Sequence, residues 1–383
     1  MGDVLTLIVH LTTVHPRTDT RIRVKEVASI ASWYRDGISL VVQDSAGDSE
    51  NQQQEGSHSF SILDAGRIEP NRFLRMTRGA WRIYRKVRLQ RPEIAHFHDP
   101  ELIPVGFALK IAKVKVIYDV HEDVPHQVLG KRWLWPWVRR GVSLLVEGVE
   151  KIAALAFDGI VAATPTIAKR FPDRKTVTVK NFPIMSDVST AKAVPYSQRP
   201  PDFAYVGGIS GNRGVFGMVE AVGQCERGDV RLRLGGRFVT ADDECATRAA
   251  AGWERVEYHG WLDRKGVAGL LSTCRGGLVV LHPTSSYPDA YPVKMFEYMA
   301  AGLPVIASDF PLWREIVEGA GCGLLVDPRK PEEIARAMEW ILDNPEEAQA
   351  MGRRGREAVE STYNWEPEGA KLRELYASLL GNP

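Results

Sequence analysis

No stretch of this 383-residue chain carries the ~20 consecutive apolar residues that cross a bilayer, so the sequence offers no membrane-spanning helix. The apolar opening VLTLIVHL has no basic segment before it and no small-residue cleavage site after it. It reads as a first strand rather than a leader, and better as a strand than as the loose myristoylation pattern that MGDVLT also fits. Cysteine is scarce. Cys225, Cys245, Cys274 and Cys322 all fall in the second half, with no CxxC pair and no histidines at ligand spacing. That excludes a disulfide scaffold, argues against a zinc site, and suits reduced thiols in a cytosolic protein. Cofactor fingerprints are missing too. The turn after the first strand, HLTTVHPRTDTR, contains no glycine, the glycines of YVGGISGNRGV fail the GxGxxG spacing, and there is no Walker lysine loop. Dehydrogenase and P-loop readings lose their support.

Net charge is also near zero, at +1, but unevenly spread. Residues 1–195 hold 28 Lys and Arg against 21 Asp and Glu, a net of +7; the remainder holds 49−28=21 against 48−21=27, a net of −6. The basic half is expected to face something anionic. No recognised nucleic-acid module accompanies it, and no nucleic-acid partner is expected.

What is present is an ordinary globular composition in a chain too long for one core, so two domains are expected. In the first half VLTLIVHL, ISLVVQD, EIAHFHD, KVIYDVHED and FDGIVAAT read as strands, separated by helix-like segments such as RIRVKEVASIASWYRDG and NRFLRMTRGAWRIYRKVRLQRP. Residues 45–58 read as a polar loop. After a Pro- and Ser-rich lapse, a second alternating series runs through FAYVGG, VRLRLGG, RVEYHGWL, GGLVVLHP and PVIASD. Such alternation predicts doubly wound parallel sheets. The expected organisation is an N-terminal domain over 1–183, a linker over 184–200, a C-terminal domain over 201–365 and a final helix over 366–383. In open sheets ligands sit outside the carboxyl ends of the strands, so two facing sheets imply a ligand in the cleft between them.

Two stretches carry chemistry. In YVGGISGNRGV a strand runs into four glycines with Arg213 beside the last. Glycines let backbone N–H groups approach an anion, and an arginine there can clamp phosphate; a tight structural turn accounts for the spacing equally well. In YPDAYPVKMFEYMAAGLPVIASD, Pro292 suits the first turn of a helix that Gly302 ends. Asp289 then lies ahead of that helix and Glu297 near its second turn. Glu297 suits a ribose diol, Asp289 sugar hydroxyls, and Lys294 a phosphate; helix capping by Asp289 and a surface Glu297 is the alternative.

Together with MAAGLPVIASD, the YHGWL strand, the late GCGLLVDP and the closing STYNWEPEGAKLRELYASLL, this stretch resembles the retaining glycosyltransferases of family 4, which have the GT-B fold. The resemblance implies an α/β architecture of two facing Rossmann-like, doubly wound domains, with the last helix crossing back to the first. It implies donor binding by Gly207, Gly208, Arg213, Val293, Lys294 and Glu297, with Glu297 on the ribose and Asp289 near the donor sugar, where the family has a glutamate. Gly208 stands where the family has an arginine. HPRTDTR replaces the family's glycine pair after the first strand, so Arg17 or Arg21 would substitute. His121, ending VIYDVHED, matches the histidine that faces the reacting sugar, which places it with Asp289 and Glu297 as the catalytic set. His98 and Asp99 of AHFHDPEL are candidates for acceptor contact, or for a turn opening at Asp99-Pro100.

The expected activity is transfer of a sugar, with retention and without metal, from a nucleotide-diphosphate sugar to a saccharide. UDP is preferred over GDP on the family's habit. The acceptor is expected to be lipid-linked, in envelope polysaccharide, capsule or lipopolysaccharide synthesis, and no cofactor is needed beyond the donor. A nucleotide-sugar epimerase of the same fold and a non-catalytic sugar-nucleotide or membrane-binding protein are the alternatives. Arg75, Arg78, Arg82 and Arg85 recur at helical spacing, and Trp133, Trp135 and Trp137 lie between basic pairs. That composition suits contact with an anionic membrane at its cytoplasmic face; a solvated helix face and a core-plugging loop are the alternatives.

Overall fold

The computed structural model describes residues 8–34, 37–51, 60–130, 135–185, 194–284 and 287–381. Contacts divide the chain into two compact units, Met1–Asn181 with Glu366–Pro383, and Phe182–Trp365.

The first unit is built on an eight-stranded sheet. From edge to edge it runs β3 (Ser49–Asn51), β4 (Phe60–Asp64), β2 (Ile38–Val42), β1 (Ile8–Leu11), β5 (Ile94–Phe97), β6 (Lys115–Val120), β7 (Gly159–Ala162) and β8 (Thr176–Thr178). All pairings are parallel except β3 with β4. The fully buried IVHL, ISLVV and GIVA segments explain why the centre is parallel, since helices cover both faces. Strands β3, β4 and β8 extend the sheet beyond the five expected here. Ser49–Asn51 lies inside the stretch read as loop, where short polar residues pair along an edge.

The second unit carries six parallel strands in the order β11 (Val256–Gly260), β10 (Arg231–Gly235), β9 (Asp202–Val206), β12 (Gly276–Val279), β13 (Val305–Ser308) and β14 (Gly323–Val326). The sequence order reverses between β9 and β12, and a ligand is expected at that switch point. Residues 194–200 do not behave as a free linker. The buried Tyr196 donates its hydroxyl to Arg275 O at 2.7 Å, and Arg199 donates to Cys274 O at 3.0 Å.

The last helix, Trp365–Leu380, returns to the first unit. Tyr376 is fully buried there, and Leu375 lies where a β-carbon on Gly159 would meet it at 3.2 Å.

At the carboxyl edge of the second sheet the backbone is packed too tightly for side chains. A β-carbon on Gly236 would stand 1.8 Å from Gly207 O, and Gly236 has φ +141°. Gly236→Ala should therefore push the ends of β9 and β10 apart, destabilising the protein by about 2 kcal/mol or more. A urea midpoint equal to that of wild type would show that this edge tolerates separation.

Candidate active site

The second unit gathers two cations over one glycine. Beyond β9 the chain turns through Gly207, at φ +137°, and Gly208. A β-carbon on Gly207 would lie 3.2 Å from Lys294 Nζ and 3.8 Å from an Arg213 terminal nitrogen; one on Gly208 would lie 2.9 Å from that same nitrogen. The Arg213 guanidinium thus fills the space a side chain at 208 would need. Gly214, at φ +80°, sends the chain into the following helix against Val280 O, which a β-carbon would meet at 2.0 Å.

Tyrosines hold these cations in place. Lys294 Nζ donates to the Tyr205 hydroxyl at 2.9 Å and lies 4.0 Å from that ring's centroid. The Tyr205 hydroxyl donates to Gly208 O at 2.7 Å, and burial pushes this phenol up to about 12. The Tyr287 side chain is hydrogen-bonded to Arg213. Burial, and then the charge of Arg213, push the Lys294 ammonium down to about 7, with Glu297 opposing.

Helix Val293–Ala300 positions the acids. Pro292 caps it, and Met295, Phe296, Tyr298 and Met299 bury its inner face. The Tyr298 hydroxyl accepts from Val206 N at 2.8 Å, and its ring fills the space left by the missing side chain of Gly277. Glu297, half-buried beside this anchor, lies three residues beyond Lys294 on one face of the helix. Val293 is half-buried, and Asp289 is exposed in the turn ahead. That turn is pinned by Trp313, whose Nε1 donates to Ala290 O at 2.8 Å.

In the first unit the polar groups lie beyond β1, β5 and β6. A cavity of about 340 Å³ is lined by His15, Arg72, Arg75, His121, Glu122 and Gln127, among others. His121 Nε2 stands 3.2 Å from Asp119 Oδ2. Burial opposes ionisation of Asp119, but Arg21 and then His121 hold its carboxyl well below the usual range. On the neighbouring loop Asp19 is pulled down to about 2, where hydrogen bonds from His15 and the Ile22 backbone outweigh burial.

Two family models match this chain. "Glycosyltransferase Family 4" matches residues 35–180 and "Glycosyl transferases group 1" residues 190–358, between them most of its length. The chain belongs to the family 4 glycosyltransferases. Glycogen synthase of Mycobacterium tuberculosis is 22% identical over 300 residues, covering 76% of this chain and 69% of that protein. The alpha-D-kanosaminyltransferase of Streptomyces kanamyceticus is 26% identical, covering 63% of this chain and 57% of its own length. Among solved structures, sucrose-phosphate synthase from Thermosynechococcus elongatus superposes with a TM-score of 0.76 at 19% identity, over 98% of this chain and 99% of that one. Anabaena HepE in complex with UDP-glucose gives 0.71 at 14% identity, over 97% and 99%. The fold is GT-B.

Several residues expected to bind ligand in this glycosyltransferase are engaged otherwise. Arg17 is bonded to Asp44 through two nitrogens and donates to Gly47 O at 3.0 Å, so it is tied to the first unit's own loop. Arg21 is no phosphate ligand. It is buried, 3.1 Å from Asp119 and 3.0 Å from Glu26, because the ionised Asp119 in the interior needs its charge. His98 is buried among other histidines but lines the cavity with His121. The expected turn does open at Asp99-Pro100, with Leu102 N donating to Asp99 O at 2.9 Å, although the Asp99 side chain makes no cap bond; it is buried and lines the cavity with His121. Its Oδ2 accepts from Thr12 Oγ1 at 2.7 Å and from Thr13 N at 2.6 Å, which fixes the loop after β1. Of the four arginines expected on one cationic face, Arg75 is bonded to Glu101 at 2.6 Å and Arg82 to Glu69 at 2.7 Å. Arg78 and Arg85 are exposed. Trp133 lies outside the described residues; Trp135 and Trp137 are exposed. Sequence reasoning missed Tyr205, Tyr287 and Tyr298. Their only signal is a tyrosine one residue before the end of β9 and another following Glu297.

Lys294 generates a test with a definite sign. Its folded value of about 7 lies below the ~10.4 of an unfolded lysine, so between those values the unfolded chain holds more protons and ligand-free stability rises with pH. A bound diphosphate restores the charge. At pH ~8 its binding should draw in about one proton, read as a dependence of calorimetric enthalpy on the buffer's ionisation enthalpy. Lys294→Met should abolish that dependence; an undiminished uptake in the variant would place the proton elsewhere.

Proposed function

We propose that this glycosyltransferase moves a sugar, with retention of configuration, from a nucleoside-diphosphate sugar to a saccharide acceptor. The observation that carries the reading is the convergence of Arg213 and Lys294 over Gly207, where no side chain intervenes. Two cations and a glycine-lined turn suit a diphosphate. In this reading Glu297, on the same helix as Lys294, takes the ribose diol, and Val293 and Asp289 contact the rest of the donor. The HepE neighbour's UDP-glucose supports uridine as the base.

In this reading the diphosphate leaves toward Arg213 and Lys294, which stabilise the charge that develops on it. These residues neutralise the diphosphate without a metal ion. The departing phosphate oxygen takes the proton of the incoming hydroxyl on the same face of the sugar, so retention follows without a protein nucleophile. His121, on the cavity of the first unit, orients a sugar hydroxyl, and the chain's main contribution is positioning.

Glu297→Ala should fold normally, lose roughly 3 kcal/mol of donor affinity or more, and show no turnover. Calorimetry and a transfer assay across UDP-, GDP-, ADP- and TDP-sugars measure both effects. Near-normal donor affinity in the variant would remove Glu297 from the ribose. An epimerised sugar formed from donor alone would replace transfer by epimerisation.

The acceptor is proposed to be lipid-linked, with the enzyme acting at the cytoplasmic face of an anionic membrane. Among the described residues no helix is long and apolar enough to cross a membrane. Helix Pro136–Ala156 supports surface contact, because its apolar side is turned outward. Trp137 is 74% exposed, Leu144 68%, Leu145 67%, Ile152 61% and Leu155 68%, while Ser143, Glu150, Ala153 and Ala154 are buried. The stripe runs the length of the helix, with Trp135 and exposed Arg140 at one end and Lys151 along its side. Tryptophan, aliphatic area and cations together are what a helix lying in an anionic interface presents. Trp137, Leu145 and Ile152 changed together to Ser should weaken sedimentation with anionic vesicles at every salt concentration, since apolar area is not screened. Arg78 and Arg85 changed to Gln should cost about 1 kcal/mol each, and only at low salt. A wild type that ignores such vesicles would remove the membrane from this reading.

A further inference from the structure

Behind His121 the first unit buries four more ionisable side chains and a tyrosine without access to water. His10, His96, His98, Asp119 and Tyr376 are all 2% exposed or less. They form one connected chain. His96 Nδ1 lies 2.6 Å from the Tyr376 hydroxyl, and that hydroxyl lies 3.0 Å from His10 Nε2. His10 Nδ1 lies 2.9 Å from His98 Nε2. His98 Nδ1 lies 3.4 Å from Asp119 Oδ2, and His121 Nε2 lies 3.2 Å from the same oxygen.

Asp119 decides the direction of every link, because an ionised carboxylate only accepts. It is paired with Arg21, and the neighbouring Glu26 is pushed well above the carboxylate range by burial and by the Asp119 charge. His98 Nδ1 and His121 Nε2 also stand 3.2 Å from each other, but both are hydrogen-bonded to Asp119, and the carboxylate is the stronger acceptor, so His98 donates to it from Nδ1 and His121 from Nε2 rather than one ring to the other. A neutral His98 accepts at Nε2, so His10 donates from Nδ1 and accepts at Nε2. Tyr376 therefore donates to His10 and accepts from His96 Nδ1. One ring nitrogen is left over, His96 Nε2, and it is the imidazole nitrogen of this cluster that is buried without a partner. Burial holds His10 and His96 well below their ordinary values and takes His98 to about 4, so all three are neutral.

We propose that these links form a single proton register from Asp119 to Tyr376, in which Tyr376 is a positioning residue that holds His98 on Asp119 and so leaves His121 as the Nε2–H tautomer with a bare Nδ1. A bare Nδ1 accepts a hydrogen bond from a hydroxyl and cannot donate one. The bearing of the register on catalysis rests on the reading of His121 as facing the donor sugar; the register itself does not. The other groups facing His121 are His15, with ring centroids 5.2 Å apart, and Asp19 beyond it. His10, Glu26, His96 and His98 also have potential metal-ligand atoms within 4.8 Å of one another. A cation there would meet the charge of Arg21, already 3.0 Å from Glu26.

The test is spectroscopic and needs no substrate. Full-length protein labelled with 15N-histidine is examined by long-range proton–nitrogen correlation near neutral pH, with resonances assigned from single His→Gln variants. Wild type is expected to show His10 and His98 each as a single Nδ1–H tautomer and His121 as Nε2–H. Tyr376→Phe removes only the hydroxyl; His10 should then populate both tautomers, and the ring nitrogens of His98 and His121 should shift. A wild-type His10 protonated at Nε2, or His98 and His121 signals unmoved in Tyr376→Phe, would overturn the register. Should that variant fail to fold, the three wild-type tautomers decide the matter alone. A His121→Ala enzyme with full turnover would sink the donor-facing reading while leaving the register intact.

Discussion

At the end of β9 two backbones lie closer together than a β-carbon would permit, and the proposed phosphate site of the second unit depends on that approach. Gly207 and Gly236 carry no side chains at a point where one would collide with the other's carbonyl oxygen. The space so cleared is occupied by the ends of two long cationic side chains. One comes from the short helix after the turn, the other from a helix almost ninety residues further on. Burial and the charge of Arg213 make Lys294 shed part of its charge, with Glu297 opposing them. Two partly desolvated cations held this close together repel one another. In the proposed reading that repulsion is relieved when a diphosphate binds.

The first unit solves the opposite problem. Its interior holds Asp119 and Glu26 where water cannot reach, and one guanidinium serves both. Arg21 can do so because the chain enters this segment through a wide helical turn over Thr20–Val27, capped by Asp19 at Ile22 N. Through Arg21 and Asp119 the segment after β1 supports His121, and its His15 lines the cavity beside it. Asp99 has the same character. Its carboxylate is spent on two threonines of that loop, and the loop in turn carries His15 to the face of His121.

These differences show what was legible in the sequence. Apolar runs such as IVHL, KVIYDV and PVIASD marked buried parallel strands because burial on both faces leaves a compositional trace. Short edge strands such as Ser49–Asn51 leave none, since pairing on one side needs no apolar residue. Glycines with an arginine, and a proline-headed helix with a lysine and a glutamate, pointed to the right segment because chemistry of that kind restricts residue type. Which arginines were free could not be read, because their partners are distant in sequence. Arg21 meets Asp119 across 98 positions, and Arg75 meets Glu101 across 26. The tyrosines around Lys294 were invisible for the same reason, as 89 residues separate Tyr205 from it.

The final helix extends this argument to the whole chain. Tyr376 lies 366 residues from His10 along the sequence and 3.0 Å from it in space. A phenol there satisfies two buried imidazoles at once, which an apolar side chain of equal size could not do. The last helix thus completes the polar interior of the unit in which the chain begins. Until residues 366–380 pack, His10 Nε2 and His96 Nδ1 lack the hydroxyl that joins them. The first unit's polar centre is thus completed by the helix Trp365–Leu380, although its strands all come from residues 8–178.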